Sequence, residues 1–167
     1  VGQLAAQYDK YEPVTGSFVN GKFTSGENIG DLGGINVAYT ALQMYLKDHG
    51  NPGKISDLTQ DQRFFMSWAT VWRTKSTDKY MTNQVKTDPH SPGYYRSFGP
   101  LVNMDSFQKA FDVKPGDKLY VAPEKRIKIR EQNKNLQNIL KVFLLTFMNS
   151  SKIVLNLLFF ENKFLTS

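Results

Sequence analysis

Cysteine is absent from this 167-residue sequence, and histidine occurs only twice. Without cysteine, the chain can form neither a disulfide nor a thiolate metal site. The two histidines, His49 and His90, lie 41 residues apart and share no short metal-ligand motif. A catalytic zinc ion normally takes three ligands from the protein and one water molecule. The sequence therefore lacks the ligands that such a site would need within one short segment.

Long hydrophobic runs are missing as well. The two most apolar stretches, residues 139–148 and 153–160, are separated by four polar residues. Each is shorter than the roughly 20 residues that a membrane-spanning helix needs. A lysine at the centre of a combined span would cost about 2.5–3.5 kcal/mol on insertion scales. We therefore expect no membrane association.

Basic residues are in excess, but they are not concentrated. The net charge is +6, and half of it comes from residues 130–167, which hold five basic and two acidic side chains. The remaining +3 is spread over residues 1–129 without a dense basic run. Electrostatic binding of nucleic acid requires a basic patch or stripe. The charge pattern therefore indicates a solvated surface and no nucleic acid partner.

Two acidic residues at the start of a helical pattern are the most informative feature present. Glu27 and Asp31 lie four residues apart, so both carboxylates point to the same face of a helix. Three glycines stand between positions 30 and 34, and each costs about 1 kcal/mol relative to alanine inside a helix. This predicts that another backbone comes close to that face. The two acids fit a metal ligand and its supporting group, whereas Thr24 with Glu27 also fits a helix-capping box.

The remaining pattern predicts a series of helices. Apolar residues recur at spacings of three and four over residues 32–46, which predicts an amphipathic helix that ends before Gly50. Thr59 and Gln62 form a capping-box sequence ahead of the next helix. Weaker patterns predict three more helices, over residues 1–10, 78–85 and 105–111.

Two segments are predicted to lack helix. Residues 11–22 are predicted to be irregular or a hairpin, because Asn20-Gly21 favours a turn between short apolar pairs. Residues 88–99 contain two prolines and two glycines and are predicted to be a loop. His90 lies in this loop between two prolines, which is a rigid setting for a side chain that must be aimed.

Several motifs occur together in one order and spacing. They are Gly26-Glu27-Asn28-Ile29-Gly30-Asp31, Gln62-Arg63-Phe64-Phe65 with Val71-Trp72, Lys86-Thr87-Asp88-Pro89-His90-Ser91-Pro92-Gly93, Arg96, Gly99-Pro100-Leu101, Asn103, Phe107, Ala110-Phe111 and Pro123-Glu124-Lys125-Arg126. In this combination, residues 1–129 resemble the C-terminal part of the neprilysin-like zinc metallopeptidases (family M13), particularly the bacterial oligopeptidase members. The resemblance implies a mainly α fold, namely the C-terminal portion of a zincin-type metallopeptidase catalytic domain with irregular loops and little β-structure. It also implies a cytoplasmic location in a bacterium.

The resemblance implies a zinc cofactor, and this sequence supplies only part of its site. Such enzymes carry an upstream His-Glu-x-x-His helix with two zinc-binding histidines and the general base, and this motif is absent here. By resemblance, Glu27 is the third zinc ligand, which leaves the ion open for water. Asp31 matches the acid that accepts the N–H of a zinc-bound histidine and fixes its orientation. Another description of the family makes this aspartate a proton donor, and we favour the orienting role.

Four further residues, His90, Arg96, Val71 and Trp72, are assigned by the same resemblance. His90 matches the histidine that donates a hydrogen bond to the tetrahedral oxyanion. Asp88 is not part of this assignment, but it lies two residues before His90, close enough in sequence to tune it. Arg96 matches the arginine that grips a backbone carbonyl of the peptide substrate. Val71 and Trp72 match the wall of the hydrophobic pocket for the residue just after the scissile bond. Ordinary helical core is the alternative interpretation of this pair.

The sequence therefore predicts a fragment of a zinc-dependent endopeptidase that cleaves short peptides on the amino side of hydrophobic residues by metal-activated water. Its partners would be short peptide substrates and the missing N-terminal part of the same enzyme, and we expect the isolated chain to be inactive. The alternative is a non-catalytic, truncated peptide-binding or interaction module. Residues 130–167 form a separate tail rich in Leu, Phe, Asn, Lys and Ile, which suggests read-through or a frameshift.

Overall fold

Helices account for almost all of the regular structure in residues 1–129, the part of the chain that the computed structural model describes. The α-helices in chain order are α1 (Gly2–Tyr8), α2 (Ser25–His49), α3 (Gln60–Val71), α4 (Asp78–Thr87), α5 (Gly93–Phe98) and α6 (Asp105–Ala110). Two 3₁₀ helices span Leu101–Asn103 and Pro123–Lys125. Over the same range, β-structure is limited to two isolated antiparallel bridges. The prediction of a mainly α fold with little β-structure is confirmed.

The long helix α2 contributes a buried side chain to each of the two apolar clusters of the core. It ends where the pattern predicted, because Gly50 has a φ of 86° that residues with a side chain rarely adopt. Leu32 and Ile35 are three residues apart and point to the same side, where both are buried. Leu32 belongs to one apolar cluster and Ile35 to a second, so α2 joins the two halves of the core.

Each cluster brings distant helices into contact. The first cluster packs α1 and α5 against α2 and consists of Leu4, Tyr8, Val19, Leu32, Val85 and Tyr95. The second packs α3 and α6 against α2 and consists of Ile35, Phe65, Leu101, Met104 and Phe107. Burial of these large side chains is the main stabilising term for residues 1–129, which form one compact unit.

The capping box predicted at the start of α3 is present. The Thr59 hydroxyl accepts a hydrogen bond from the Gln62 N–H, and the Gln62 side chain accepts one from the Thr59 N–H. The reciprocal bonds satisfy two N–H groups that a helix start leaves without partners. Gln62 also donates to the carbonyl of Ala110 at 2.9 Å, so the cap ties α3 to the end of α6.

Of the two segments predicted to lack helix, residues 88–99 need correction, whereas residues 11–22 are irregular as predicted. Residues 88–99 were predicted to be loop, but α5 forms there because both prolines precede it and Pro92 serves as the N-cap. No hairpin forms in residues 11–22, although a single bridge joins Val14 to Ser17. The Asn20 side chain accepts a hydrogen bond from the Phe23 N–H at 2.9 Å, so Asn20-Gly21 turns the chain into α2.

The glycines of α2 do not have the role that the sequence predicted. Within residues 1–129, a methyl group added at Gly30 or Gly34 would meet no atom within 4 Å. At Gly33 it would lie 3.5 Å from the side chain of Ile129. The prediction that another backbone approaches this face is therefore wrong for the described part of the chain.

None of the helices in residues 1–129 combines the length and apolarity needed to cross a membrane. The tail predictions, including read-through of residues 130–167, fall outside the described residues.

Candidate functional site

One face of α2 contacts the segment that leads from α4 into α5. The Glu27 carboxylate lies 3.1 Å from Nε2 of His90, measured from its Oε2 atom. One turn further along α2, both oxygens of Asp31 accept hydrogen bonds from Arg96. The structure thus brings together four residues that the sequence singled out separately.

The His90 ring is held by the residue two positions before it. Oδ1 of Asp88 lies 2.7 Å from the His90 Nδ1 atom and also accepts the His90 backbone N–H at 2.9 Å. That backbone N–H and, more weakly, the ring lower the pKa of Asp88, so its carboxylate is the charged acceptor of both bonds. The ring is therefore oriented with Nε2 towards Glu27. The side chains of His90 and Glu27 remain 45% and 44% exposed, so this part of the site is open.

The ion pair between Asp31 and Arg96 is buried and bidentate. The Nε–Oδ2 and Nη2–Oδ1 distances are both 2.7 Å, and the two side chains are 8% and 13% exposed. Burial lowers the pKa of Arg96, but the hydrogen bonds and charge of Asp31 outweigh this and leave the pKa above its usual value. Within the described residues, the structure gives Nη1 of Arg96 no hydrogen bond.

Aromatic side chains of α3 complete the surroundings of Arg96. Its guanidinium carbon lies 3.9 Å from the ring centroid of Trp72, which is a cation–π contact. Nε1 of Trp68 donates to the Arg96 carbonyl at 3.1 Å. Arg96 is therefore held by Trp68 at its backbone carbonyl, by the Trp72 ring at its guanidinium face and by Asp31 at two of its three guanidinium nitrogens.

Val71 and Trp72 lie where α3 ends, and their surroundings differ. Val71 is 61% exposed, so the alternative that it belongs to the helical core is wrong. Trp72 is half-buried under Arg96, and its Nε1 atom has no hydrogen-bond partner among the described residues. Their place in a substrate pocket stays a prediction.

A buried chain of hydrogen bonds runs beside Glu27 and His90. The Ser91 hydroxyl donates to Oδ1 of Asn28, and Nδ2 of Asn28 donates to the Thr24 hydroxyl, each at 2.9 Å. Thr24 makes no helix-capping bond, so the capping-box interpretation of Thr24 with Glu27 is wrong. The sequence analysis did not predict the hydrogen bonds that join these three residues. Thr24 and Asn28 lie one helical turn apart beside Glu27, and that spacing was the available signal.

The described residues do not by themselves fit a zinc ion. No group of three or more His, Cys, Asp or Glu side chains is arranged among them to hold a metal. Glu27 offers one carboxylate, and a catalytic zinc site needs three protein ligands. Any zinc site that includes Glu27 must therefore take further ligands from outside residues 1–129.

Comparisons with known proteins place the chain in a family. The profile of peptidase family M13 matches residues 2–127. Human neprilysin is 41% identical over 118 residues, which cover 68% of this chain and 15% of neprilysin. Neprilysin-3 of Drosophila melanogaster is 41% identical over 121 residues, which cover 70% of this chain and 15% of that protein. The chain thus spans about 15% of the length of the curated relatives it matches.

Two solved structures share the fold. The zinc metalloprotease ZMP1 of Mycobacterium tuberculosis, in complex with an inhibitor, superimposes with a TM-score of 0.72 at 42% identity. The match covers 77% of this chain and 20% of ZMP1. PepO of Lactobacillus rhamnosis superimposes with a TM-score of 0.63 at 32% identity, covering 77% of this chain and 19% of PepO.

Proposed function

This chain belongs to peptidase family M13, and on that basis we propose that it is the C-terminal part of a zinc-dependent endopeptidase. Family membership supports this class of activity, peptide hydrolysis by a metallopeptidase. The observation that carries the proposal for this chain is the meeting of Glu27 with His90 and of Asp31 with Arg96 on one face of α2.

Glu27 would supply one of the zinc ligands. Its carboxylate is 44% exposed beside His90, so it is accessible to a metal held by other groups. The remaining ligands would come from the part of the enzyme that this chain does not contain, through a His-Glu-x-x-His helix. Zinc in such a site lowers the pKa of its bound water and so provides the nucleophile.

His90 would stabilise the charge that develops on the substrate carbonyl oxygen. Asp88 holds the ring, and Nε2 faces the ligand carboxylate of Glu27, where that oxygen would lie. The ring would donate to that oxygen from Nε2, while its Nδ1 atom stays in contact with the Asp88 carboxylate. Donors of this kind contribute about 2.7–4 kcal/mol of transition-state stabilisation.

Arg96 would bind a backbone carbonyl of the peptide. Asp31 accepts from Nε and from one N–H of Nη2, so Nη1, which has no partner among the described residues, can donate to a substrate. Because each carboxylate oxygen accepts more than one hydrogen bond, Asp31 can hold Arg96 and also orient a zinc-bound histidine. The exposed Val71 and the half-buried Trp72 would contact a hydrophobic residue on the carboxyl side of the cleaved bond.

A chimeric enzyme tests these roles. Residues 1–129 replace the matching C-terminal segment of ZMP1, and hydrolysis of a fluorogenic peptide and zinc content are measured. Glu27→Val is expected to abolish activity by losing zinc. His90→Gln is expected to retain zinc and to lower kcat by about 10²–10³-fold. Glu124→Val, at an exposed position, is the matched control and should change neither quantity.

Two outcomes would contradict the proposal. Equal zinc loss in Glu27→Val and His90→Gln would show that the roles are divided wrongly. The isolated chain should bind zinc weakly and should not cleave peptide, so a stoichiometric nanomolar site in calorimetry would also contradict it. Peptide binding by the isolated chain, together with an inactive chimera, would favour the non-catalytic module instead.

A further inference from the structure

The buried hydrogen bonds between α2 and the His90 loop are placed where they can align the site. Thr24, Asn28 and Ser91 are 2%, 0% and 1% exposed. The bond from Ser91 to Asn28 joins residues 63 positions apart. The chain continues through Thr24, whose hydroxyl donates to the carbonyl of Asn20 at 3.0 Å. The two links among Thr24, Asn28 and Ser91 join neutral groups that burial has removed from competition with water.

These residues are the direct neighbours of the groups that meet in the site. Asn28 follows Glu27, and Ser91 follows His90. The contact between Glu27 and His90 is itself nearly half exposed, and exposed ion pairs contribute little to holding two elements together. The buried bond one residue further along is therefore the fixed connection between the two segments. Prolines on both sides of His90-Ser91 limit how far the loop can adjust independently.

We propose that Asn28 and Ser91, supported by Thr24, are positioning residues that hold His90 at its place relative to Glu27. This inference rests on the proposed function, because it assumes that His90 acts on the substrate. Without the buried bond, the loop can shift while the fold persists. A displacement of about 1 Å in a group aimed at the reacting atoms can cost about 10²-fold in rate.

The chimera provides the kinetic test. Asn28→Ala and Ser91→Ala are each expected to lower kcat by about 10–100-fold, to change KM far less and to leave zinc content unchanged. Asn36→Ala is the matched control, because Asn36 lies on the same helix and its amide donates, among residues 1–129, only to the Leu32 carbonyl, at 2.7 Å. It should leave kcat within about twofold of the parent. A loss of kcat in Asn36→Ala equal to that in Asn28→Ala would overturn the proposal.

A double-mutant cycle separates positioning from general destabilisation. If Ser91 acts through His90, adding Ser91→Ala to His90→Gln should lower kcat by less than about twofold. The same fold-loss in both backgrounds would mean that Ser91 does not act through His90, and the inference would be wrong.

A measurement on the full 167-residue chain decides the question without activity. In Asn28→Ala and Ser91→Ala, amide hydrogen exchange at Asp88, His90 and position 91 is expected to become about tenfold faster, while that of α6 stays unchanged. Asn36→Ala should leave the loop unaffected. Unchanged exchange in the loop would overturn the positioning role. An inactive chimera with unmodified residues would instead count against the proposed function and leave the exchange result valid.

Discussion

The ion pair between Asp31 and Arg96 allows a quantitative prediction of stability. Asp31→Asn keeps the size of the side chain but removes its charge. The Arg96 guanidinium, only 13% exposed at its side chain, then loses its counter-ion. Removing one partner of a buried pair costs about 3–5 kcal/mol of unfolding free energy. Because asparagine retains one acceptor oxygen, we expect the lower end of this range, about 3 kcal/mol.

Urea unfolding of the full chain, followed by tryptophan fluorescence, measures this loss. Trp72 is a suitable reporter, because its ring lies 3.9 Å from the Arg96 guanidinium carbon. Arg96→Met is expected to be strongly destabilising alone and to cost less than half as much when added to Asp31→Asn. That coupling identifies the pair itself as the source of the stability.

A surface pair provides the control for the same substitution. Asp112 lies 2.6 Å from Lys114, and the two side chains are 81% and 67% exposed. Asp112 has a positive φ of 50°, which asparagine also tolerates, so Asp112→Asn introduces no backbone strain. We expect no measurable shift in its urea midpoint. If Asp31→Asn were equally mild, the pair would not be buried and the reasoning would be refuted.

Two further predictions concern the core and the response to acid. Phe65→Ala should lower the unfolding free energy by about 3–5 kcal/mol because Phe65 is 1% exposed. The adjacent Met66→Ala, at a 47% exposed position, should change it by less than about 1 kcal/mol; equal urea midpoints would contradict this. Arg126, 2.5 Å from Asp105, lowers the pKa of that carboxyl below 3.8. Because the folded pKa is below the unfolded one, the pair stabilises above pH 3.8 and is lost as pH falls through the folded value. Asp105→Asn should therefore lose less stability than the parent between about pH 5 and pH 2, and identical urea titrations would contradict this.

The sequence motifs identified the family because many of them occur together in one order and spacing. The family assigned from the combined motifs of residues 1–129 is confirmed by the profile match to residues 2–127. The similarity to ZMP1 confirms the zincin-type, mainly α fold. The roles of individual site residues, the boundary at residue 129 and a cytoplasmic location stay predictions.

Sequence periodicity predicted the α-helices other than α5, but not every boundary. The end of α2 and the cap of α3 followed from residues that act within one turn, Gly50 and the pair Thr59 and Gln62. α5 was missed because proline and glycine signal both a loop and the start of a helix, and only the packing of Tyr95 into the core distinguishes the two. The close backbone contact predicted from the glycines of α2 is absent, because the neighbours of a helix face are set by other parts of the fold.

The partners of the site residues were decided by the tertiary structure alone. Glu27 and Asp31 share a face because a helix repeats every 3.6 residues, and the sequence suffices for that. That Asp31 meets Arg96, and that Asn28 meets Ser91, depends on contacts across 65 and 63 positions. Such contacts are set by how α5 packs against α2 through buried side chains. Hydrophobic burial is non-directional, so a sequence pattern shows which residues are buried but not which distant groups they bring together.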